Sequence, residues 1–461
     1  MAITLDVTGI LQAAAFWVSN KGGDNGRKLY FYFYLLLTLI SMVVGNDPVI
    51  LSGTAFLVYY TAATKLDPVA WLISEFAAAN TASMVLFVGN PTNVVICEGF
   101  RINNAAFTAY TILPFLACSI ACYAGLAFQF RSPNHVPHRL LDLEKLNVRE
   151  VLRDPVSACF GSILLLTCLI IVIVLSFLHV DVWKVTLPFA GAKFIFDLCW
   201  DHYRSTHNLI PKAKEEDAMV QALKRAATKT NVLDENHTIT NGDSKLEAVN
   251  EKNTPPQNGS PESSLTKDVA VAKDEPRLFP NQRAWIDEKH EALAAHFPTF
   301  FTALPRLPFG LIPFAFSQFI LIEALSHQGW IEVFARWLVI ASGRQMIPSI
   351  WLVGVLGVIL CNIAGTNIGA TILLTKIVHA APDFPESSSR AAAIALAVAS
   401  NIGAVSFTFS ASLAGLLWDS ILGSKGISMK QTTFAFWNML PLLLMTGVGL
   451  AIVTAEMVVL Y

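Results

Sequence analysis

The chain has 461 residues, of which 54% are hydrophobic and 14% charged, with a formal net charge of −2. A soluble globular chain carries about 25% charged residues, so this composition excludes an ordinary soluble domain. Near-neutral charge speaks against nucleic-acid binding, and nearly uncharged apolar windows at residues 105–128, 157–178, 349–361 with its flanks, and 433–454 predict an all-α polytopic membrane protein.

Residues 10–18 form a short apolar piece ending near Trp17, suited to an interfacial helix. A polar loop at 19–28 carries Lys21, Arg27 and Lys28. Two apolar arms, 29–44 and 49–64, flank Gly45-Asn46-Asp47-Pro48. At 1.5 Å per residue each arm reaches roughly 24 Å, short of a bilayer core of roughly 30 Å. This predicts a re-entrant helical hairpin with its tip at Asn46. Residues 69–88, the break Gly89-Asn90-Pro91-Thr92-Asn93 and residues 94–100 read as a helix interrupted within the membrane, which is tolerated where freed backbone lines a cavity or packs in protein.

Residues 105–128 read as a span and 131–154 as a charged loop. Two more spans are expected at 157–178 and 182–199. From 204 to 283 the composition turns polar and charged with almost no aromatics, which predicts disorder. Sequons occur there at Asn236 and Asn258. Residues 284–297 suit an amphipathic helix on the membrane, with Trp285, Ile286, Leu293 and Phe297 facing inward. A span at 307–324 and a Trp337-bearing amphipathic piece at 329–341 come next. The arms 347–360 and 370–378 then enclose the polar break 361–369. Residues 390–399 lead to Asn401, a second polar patch at Ser410–Ser412, a short apolar helix at 413–422 and a last span at 433–454.

The two halves share this layout: interfacial piece, hairpin, broken helix, span. Asn46 precedes Asn80 by 34 residues, and Asn362 precedes Asn401 by 39. The chain thus divides into a first transport repeat (1–130), a charged loop with two scaffold spans (131–203), a cytosolic insert (204–298) and a scaffold span with the second repeat (299–461). With the 19–28 loop inside, Lys/Arg counting keeps 131–154 and the insert inside and makes the hairpins enter from opposite faces, an inverted repeat. Three spans precede the second repeat and none the first, so N-terminal scaffold helices are expected to be missing from this chain.

Asp47 is the one carboxylate at a predicted tip. It is read either as a residue exchanging the coupling cation or as a cap for the arm starting at Pro48. Asn90, Thr92 and Asn93, with Asn362, Thr366, Asn367, Asn401, Ser410 and Ser412 as counterparts and Asn46 and Asn80 beside them, offer amide and hydroxyl groups near helix N-termini, a setting favourable to an oxyanion. The same groups also suit interhelical hydrogen bonds. Glu75 is read as a second ionisable site or, as is commoner for such a residue, as one near the membrane interface; Asp197 and Asp419 are expected at the interface, with Lys193 pairing to Asp197. The seven cysteines show no metal spacing or disulfide framework, and Cys118 and Cys122 read as packing residues. His179, His327 and His379 fall at loop edges. No hydrolase or phosphate-loop motif occurs, so an enzyme is not expected.

At Gly45-Asn46-Asp47-Pro48, at "AAANTASMVLFVGNPTNVV" and at "FSASLAGLLWDSILGSKGI", the chain resembles the ion transporter superfamily, nearest to arsenical pump membrane proteins and sodium/proton antiporters of the citrate transporter-like domain. The resemblance covers nearly all of the chain except the insert. It implies an elevator carrier for a small inorganic anion or metalloid, with arsenite or antimonite efflux first and a Na+/H+ antiporter or citrate-like carrier as alternatives. Dicarboxylate symporters carry Ser-Asn-Thr tips, unlike Gly45-Asn46-Asp47 and Cys361-Asn362-Ile363 here. A transport-inactive interaction module is the alternative of another class. No cofactor is expected beyond a coupling proton or sodium ion, the latter near Asn46, Asp47 and Asn90. The expected partners are the bilayer, a small ion and, as in such carriers, a second copy.

Overall fold

Inside a bilayer no water satisfies the backbone, so each amide must find its partner within the chain, and helix does this locally. The computed structural model describes residues 1–140, 146–178, 180–210, 219–223, 280–307, 309–363 and 365–461. The expectations for Asn236, Asn258, His179 and most of the 204–283 insert lie outside these. Among the described residues the elements are helical, apart from one isolated bridge between Asn25 and Arg139.

The first stretch holds α1 (Ala2–Val7), α2 (Ile10–Gly22), α3 (Gly26–Val44), α4 (Asn46–Ala63) and α5 (Pro68–Ala82). A 3-10 turn, Phe87–Gly89, leads into α6 (Pro91–Phe100) and then α7 (Asn104–Gln129). The middle holds α8 (Val148–Val151), α9 (Pro155–Ser176), α10 (Val182–Thr206), α11 (Pro280–His296), α12 (Pro298–Ala303) and α13 (Leu311–His327). The last stretch holds α14 (Trp330–Ser342), α15 (Met346–Ile363), α16 (Asn367–His379), α17 (Glu386–Ile402), a 3-10 turn at Phe409–Ala411, α18 (Leu413–Ser424) and α19 (Gln431–Leu460).

Five helices, α3, α7, α9, α15 and α19, are long and apolar enough to cross a membrane. Exposed side chains such as Ile120 on α7 and Ile163 on α9 present apolar surface outward, and the chain is an integral membrane protein. Several boundaries differ from the sequence reading. The expected 19–28 loop is largely helical, because α2 runs to Gly22 and Asn25 starts α3 by accepting the Lys28 amide at 3.0 Å. At 19 residues, α3 extends roughly 28 Å, so length alone does not make it a half-span. The expected span at 307–324 is the 17-residue α13, and α10 carries four buried charged residues, Lys193, Asp197, Asp201 and Arg204. On α11, Trp285, Ile286 and Leu293 are exposed on the protein surface.

The first and last stretches run through the same elements in the same order. Both α2 and α14 have 13 residues and start from a left-handed glycine, Gly9 or Gly329. The helices α5 and α17 both end just after a buried asparagine, Asn80 or Asn401. The residues that follow the two 3-10 turns, Asn90 (φ −150°, ψ 141°) and Ser412 (φ −149°, ψ 153°), share one extended conformation. Pro114 and Pro441 occupy the eleventh position of α7 and α19, which pack against each other.

Packing differs between the stretches. Between α2, α3 and α4 the space is closed by Phe16, Phe33, Phe56 and Tyr60, whose rings meet at 5.5–5.9 Å. Between α14, α15 and α16 an apolar cavity of about 310 Å³ remains, lined by Trp337, Leu352, Leu356, Leu373 and Ile377 among others.

The middle helices carry a buried ionic seam, with the expected Lys193–Asp197 pair in it. Lys193 pairs with Asp197 and donates to Ser157 Oγ at 3.1 Å, and both charges are buried. Asp154 receives Arg204 at 2.8 Å and the Trp200 indole at 2.9 Å. Asp201 accepts the Thr299 amide and hydroxyl at 2.8 and 2.9 Å, fastening α12 to α10. Lys193→Ala leaves Asp197 buried without its cation and is expected to cost about 3–5 kcal/mol. Thermal unfolding in detergent should show that loss and its recovery when Lys193→Met is combined with Asp197→Leu. Equal destabilisation by the single and double variants would contradict a paired role.

Candidate functional site

The polar residues meet where four helices begin. Gly45, at φ +87°, precedes α4, and a Cβ placed on it would lie 3.5 Å from the Gly89 carbonyl, so the starts of α4 and α6 are adjacent. The starts of α16 and α18 are likewise adjacent, since Ala370, Ala411 and Cys361 pack into one small cluster. Gly89 folds tightly over the end of α5: a Cβ there would fall 2.3 Å from Ser83 O.

Asn401 joins the stretches. Its Oδ1 accepts from Ser83 Oγ at 2.9 Å and Asn90 Nδ2 at 3.1 Å, and its Nδ2 donates to Asn93 Oδ1 at 2.8 Å and Ala397 O at 2.9 Å. A carboxamide has two donors and two acceptor sites, so this side chain is saturated. Asn93 also donates to Ser83 O and Leu86 O, both at 2.8 Å, closing the broken backbone between α5 and α6. Ser400 donates to Thr92 Oγ1 at 3.3 Å, and Asn367 donates to Ser400 O at 3.4 Å. In the first stretch Asn46 donates to Asn80 Oδ1 at 3.1 Å, and Asn80 donates back to Phe76 O, as Asn401 does to Ala397 O. All of these side chains are buried.

Asn46, Asn80, Asn90, Thr92, Asn93, Thr366, Asn367 and Asn401 thus lie in one region. Three other expected residues make different contacts. Asn362 is in the last turn of α15, where it accepts the Phe407 amide at 3.1 Å and donates to Val358 O. It braces the helix rather than forming the tip, because α15 continues to Ile363. The counterpart of Asn46 is Asn367, the first residue of α16, and it too precedes its helix-ending asparagine by 34 residues. Ser410 is exposed and bonds only to the Thr408 hydroxyl at 3.4 Å. Ser412 is buried but spent on capping α18, accepting the Gly415 amide at 3.0 Å.

Capping separates the four helix starts. Asn90, Thr366 and Ser412 each accept an amide of the helix that follows. The start of α4 has no side-chain cap, so its first amides keep their partial positive charge available. Asp47 lies in that first turn, half-buried, with no hydrogen bond or ion pair among the described residues, and it does not serve as the cap. No Lys, Arg or His among the described residues hydrogen-bonds to the asparagine ring.

Sequence reasoning undervalued Glu75. It is fully buried within the protein, with Thr54 Oγ1 at 3.0 Å from both carboxyl oxygens and the Trp418 indole donating at 3.2 Å. Ser83 and Ser400 were also overlooked; their position beside Asn80 and Asn401 is the only signal they give. Cys118 and Cys122 are buried, and the Cys118 thiol donates to Met445 O at 3.5 Å across the α7–α19 contact.

Asn401→Ala removes four hydrogen bonds at once and strands the buried Asn90 Nδ2 and Asn93 Oδ1, each at about 1–3 kcal/mol. A clear drop in detergent-solubilised melting temperature is expected for Asn401→Ala and none for Ser410→Ala; equal melting temperatures would refute the assignment of Asn401 as the tie.

Residues 1–218 match the citrate transporter family, CitMHS. The matched region includes Asn46, Asp47, Glu75, Asn80 and Asn90–Asn93. An arsenical pump membrane protein of Escherichia coli is 25% identical over 199 residues, 42% of this chain and 46% of that protein. One from Yersinia enterocolitica is 28% identical over 187 residues, 40% and 43% of the two chains. A 46 kDa membrane protein of Mycobacterium leprae is 24% identical over 150 residues, 32% and 34%. The chain spans less than half the length of these curated relatives. Residues 1–218 are thus similar to the citrate transporter family, and about two fifths of the chain is similar in sequence to arsenical pump membrane proteins.

Proposed function

We propose that the chain is the transport part of a secondary carrier for a small inorganic anion or metalloid, arsenite or antimonite first, driven by a proton or sodium gradient. The observation that carries this is the ring of neutral amides around Asn401 at the junction of four interrupted helices. Hydrogen-bonding groups next to helix N-termini bind oxyanions and neutral hydroxo species without a fixed cation. Arsenite, a neutral trihydroxide near neutral pH, suits donors and acceptors that carry no net charge. A citrate-like anion is the second reading, favoured by the family match over residues 1–218; here the N-termini of α4, α6, α16 and α18 supply the countercharge.

In this reading α3–α4 and α15–α16 are re-entrant hairpins of an inverted repeat, entering from opposite faces, with the solute near the midplane. The movement is of the elevator type, with the hairpins and broken helices travelling against the remaining spans. The roles of the polar residues divide by their spare capacity. Asn401, Asn93, Asn90 and Asn80 position the ring. Asn46, Asn367 and Thr92 retain unused donors or acceptors and contact solute, with Thr366 setting the start of α16. Asp47, without a protein partner among the described residues, holds the coupling cation, a proton or a hard cation such as sodium.

Asn46→Ala or Asn367→Ala is expected to raise the KM for solute about tenfold, the worth of roughly one hydrogen bond of 1.4 kcal/mol. Uptake of labelled arsenite and citrate, side by side in vesicles, reads both the effect and the substrate. An unaltered KM for whichever solute is carried would remove these two from the binding set. Asp47→Asn is expected to insert normally and to lose the stimulation given by a pH or sodium gradient. Full stimulation by both gradients in that variant would rule out its coupling role.

A further inference from the structure

Glu75 stands outside the asparagine ring, and nothing in the ring requires it. It lies five residues before Asn80, about 7.5 Å along α5. Its surroundings come from three helices: α5 itself, α4 through Thr54, and α18 through Trp418. Both α4 and α18 begin at the site. The carboxyl is completely buried, and a Cβ on Gly53 would come within 3.0 Å of Glu75 Oε1, so the glycine leaves room for it. Every hydrogen-bonding neighbour is neutral. Of the helices packed on α5, α3 presents Tyr30, whose hydroxyl is turned to Ala70 O at 3.4 Å. The helix α7 presents Cys118 and Cys122; Asp47 on α4, Asp419 on α18 and Glu456 on α19 are the other carboxyls, and Glu386 and Arg390 on α17 pair with each other at 3.2 Å. None of these, and no Lys, Arg or His among the described residues, bonds to Glu75.

A carboxylate held in that setting without a cation is costly, and taking up a proton removes the cost. The Thr54 hydroxyl, equidistant from both oxygens, can accept from the protonated oxygen while Trp418 donates to the carboxyl. The fold does not demand the acid. The last stretch repeats the local arrangement without it: Thr375 stands eight residues after Asn367, as Thr54 does after Asn46, and Leu396 stands five before Asn401, as Glu75 does before Asn80. There the Thr375 hydroxyl is left buried with no partner.

We propose that Glu75 is a proton-binding site of the carrier, distinct from the solute ring and built from α4, α5 and α18. This rests on the transport reading above for its purpose but not for its existence. Loading forms the carboxyl O–H bond with a proton delivered by water, and release returns that proton to water and leaves the carboxylate. Because α4 and α18 start at the solute site, a shift of either helix alters the donors on Glu75, which links proton occupancy to solute occupancy.

Infrared difference spectroscopy of the purified full chain, titrated with acid and base, tests the site itself. The carbonyl band of a protonated carboxyl is expected at neutral pH, absent in Glu75→Gln and displaced in Thr54→Val and Trp418→Phe. A band that survives Glu75→Gln, or that neither neighbour displaces, overturns the proposal. Vesicle transport tests the purpose: accumulation of arsenite or citrate under a pH gradient is expected to fall in Glu75→Gln to the wild-type level without a gradient, and to return with a displaced pH profile in Glu75→Asp. Wild-type accumulation by Glu75→Gln overturns it. If neither solute is carried by the wild-type chain, the transport reading fails and the infrared band still decides whether Glu75 binds a proton.

Discussion

A helix that begins in the interior of a membrane protein exposes amides that water cannot reach, and the arrangement around Asn401 follows from that constraint. Each interruption frees backbone groups that must be met within the protein. Asn90, Thr366 and Ser412 meet three of them as caps. Asn93 meets the carbonyls of Ser83 and Leu86 where α5 has stopped and α6 has not started. Asn401 then ties these pieces to α17. A cluster of carboxamides is well suited to this work, because each brings donors and acceptors with no charge to bury. The same property leaves a surface that can exchange hydrogen bonds with a small polar solute.

Asn401 spends its full capacity on the protein, whereas Asn46, Asn367 and Asp47 do not. Saturated groups hold geometry, and unsatisfied ones remain free for chemistry. The uncapped start of α4 belongs with the second kind. That helix also carries Thr54, so one element touches both the asparagine ring and the buried carboxyl of Glu75.

Much of this was legible in the sequence. Apolar windows and polar breaks located the membrane helices, and Gly45–Pro48 and Gly89–Asn93 marked real interruptions because Gly and Pro there leave a strong local signal. The second half was harder. The Cys361–Gly369 segment offers two asparagines, and only the tertiary packing of Asn362 against Phe407 carries α15 onward and moves the break to Thr366. Ser410 and Ser412 look alike in sequence, but one is exposed and the other caps a helix. Burial explains the remaining misses. Glu75, Lys193 and Asp197 sit in apolar runs whose depth depends on partners far away in the chain, such as Trp418 or Ser157, and no local pattern encodes those.

The cavity between α14, α15 and α16 has a further consequence. The matching space between α2, α3 and α4 is reduced by interlocking rings to about 20 Å³, so the α3–α4 pair cannot tilt without giving up close contacts. The α15–α16 hairpin backs onto about 310 Å³ of apolar space and has fewer contacts to lose. The two helix pairs therefore differ in packing: the α3–α4 pair is held by interlocking rings, and the α15–α16 pair has open apolar space beside it.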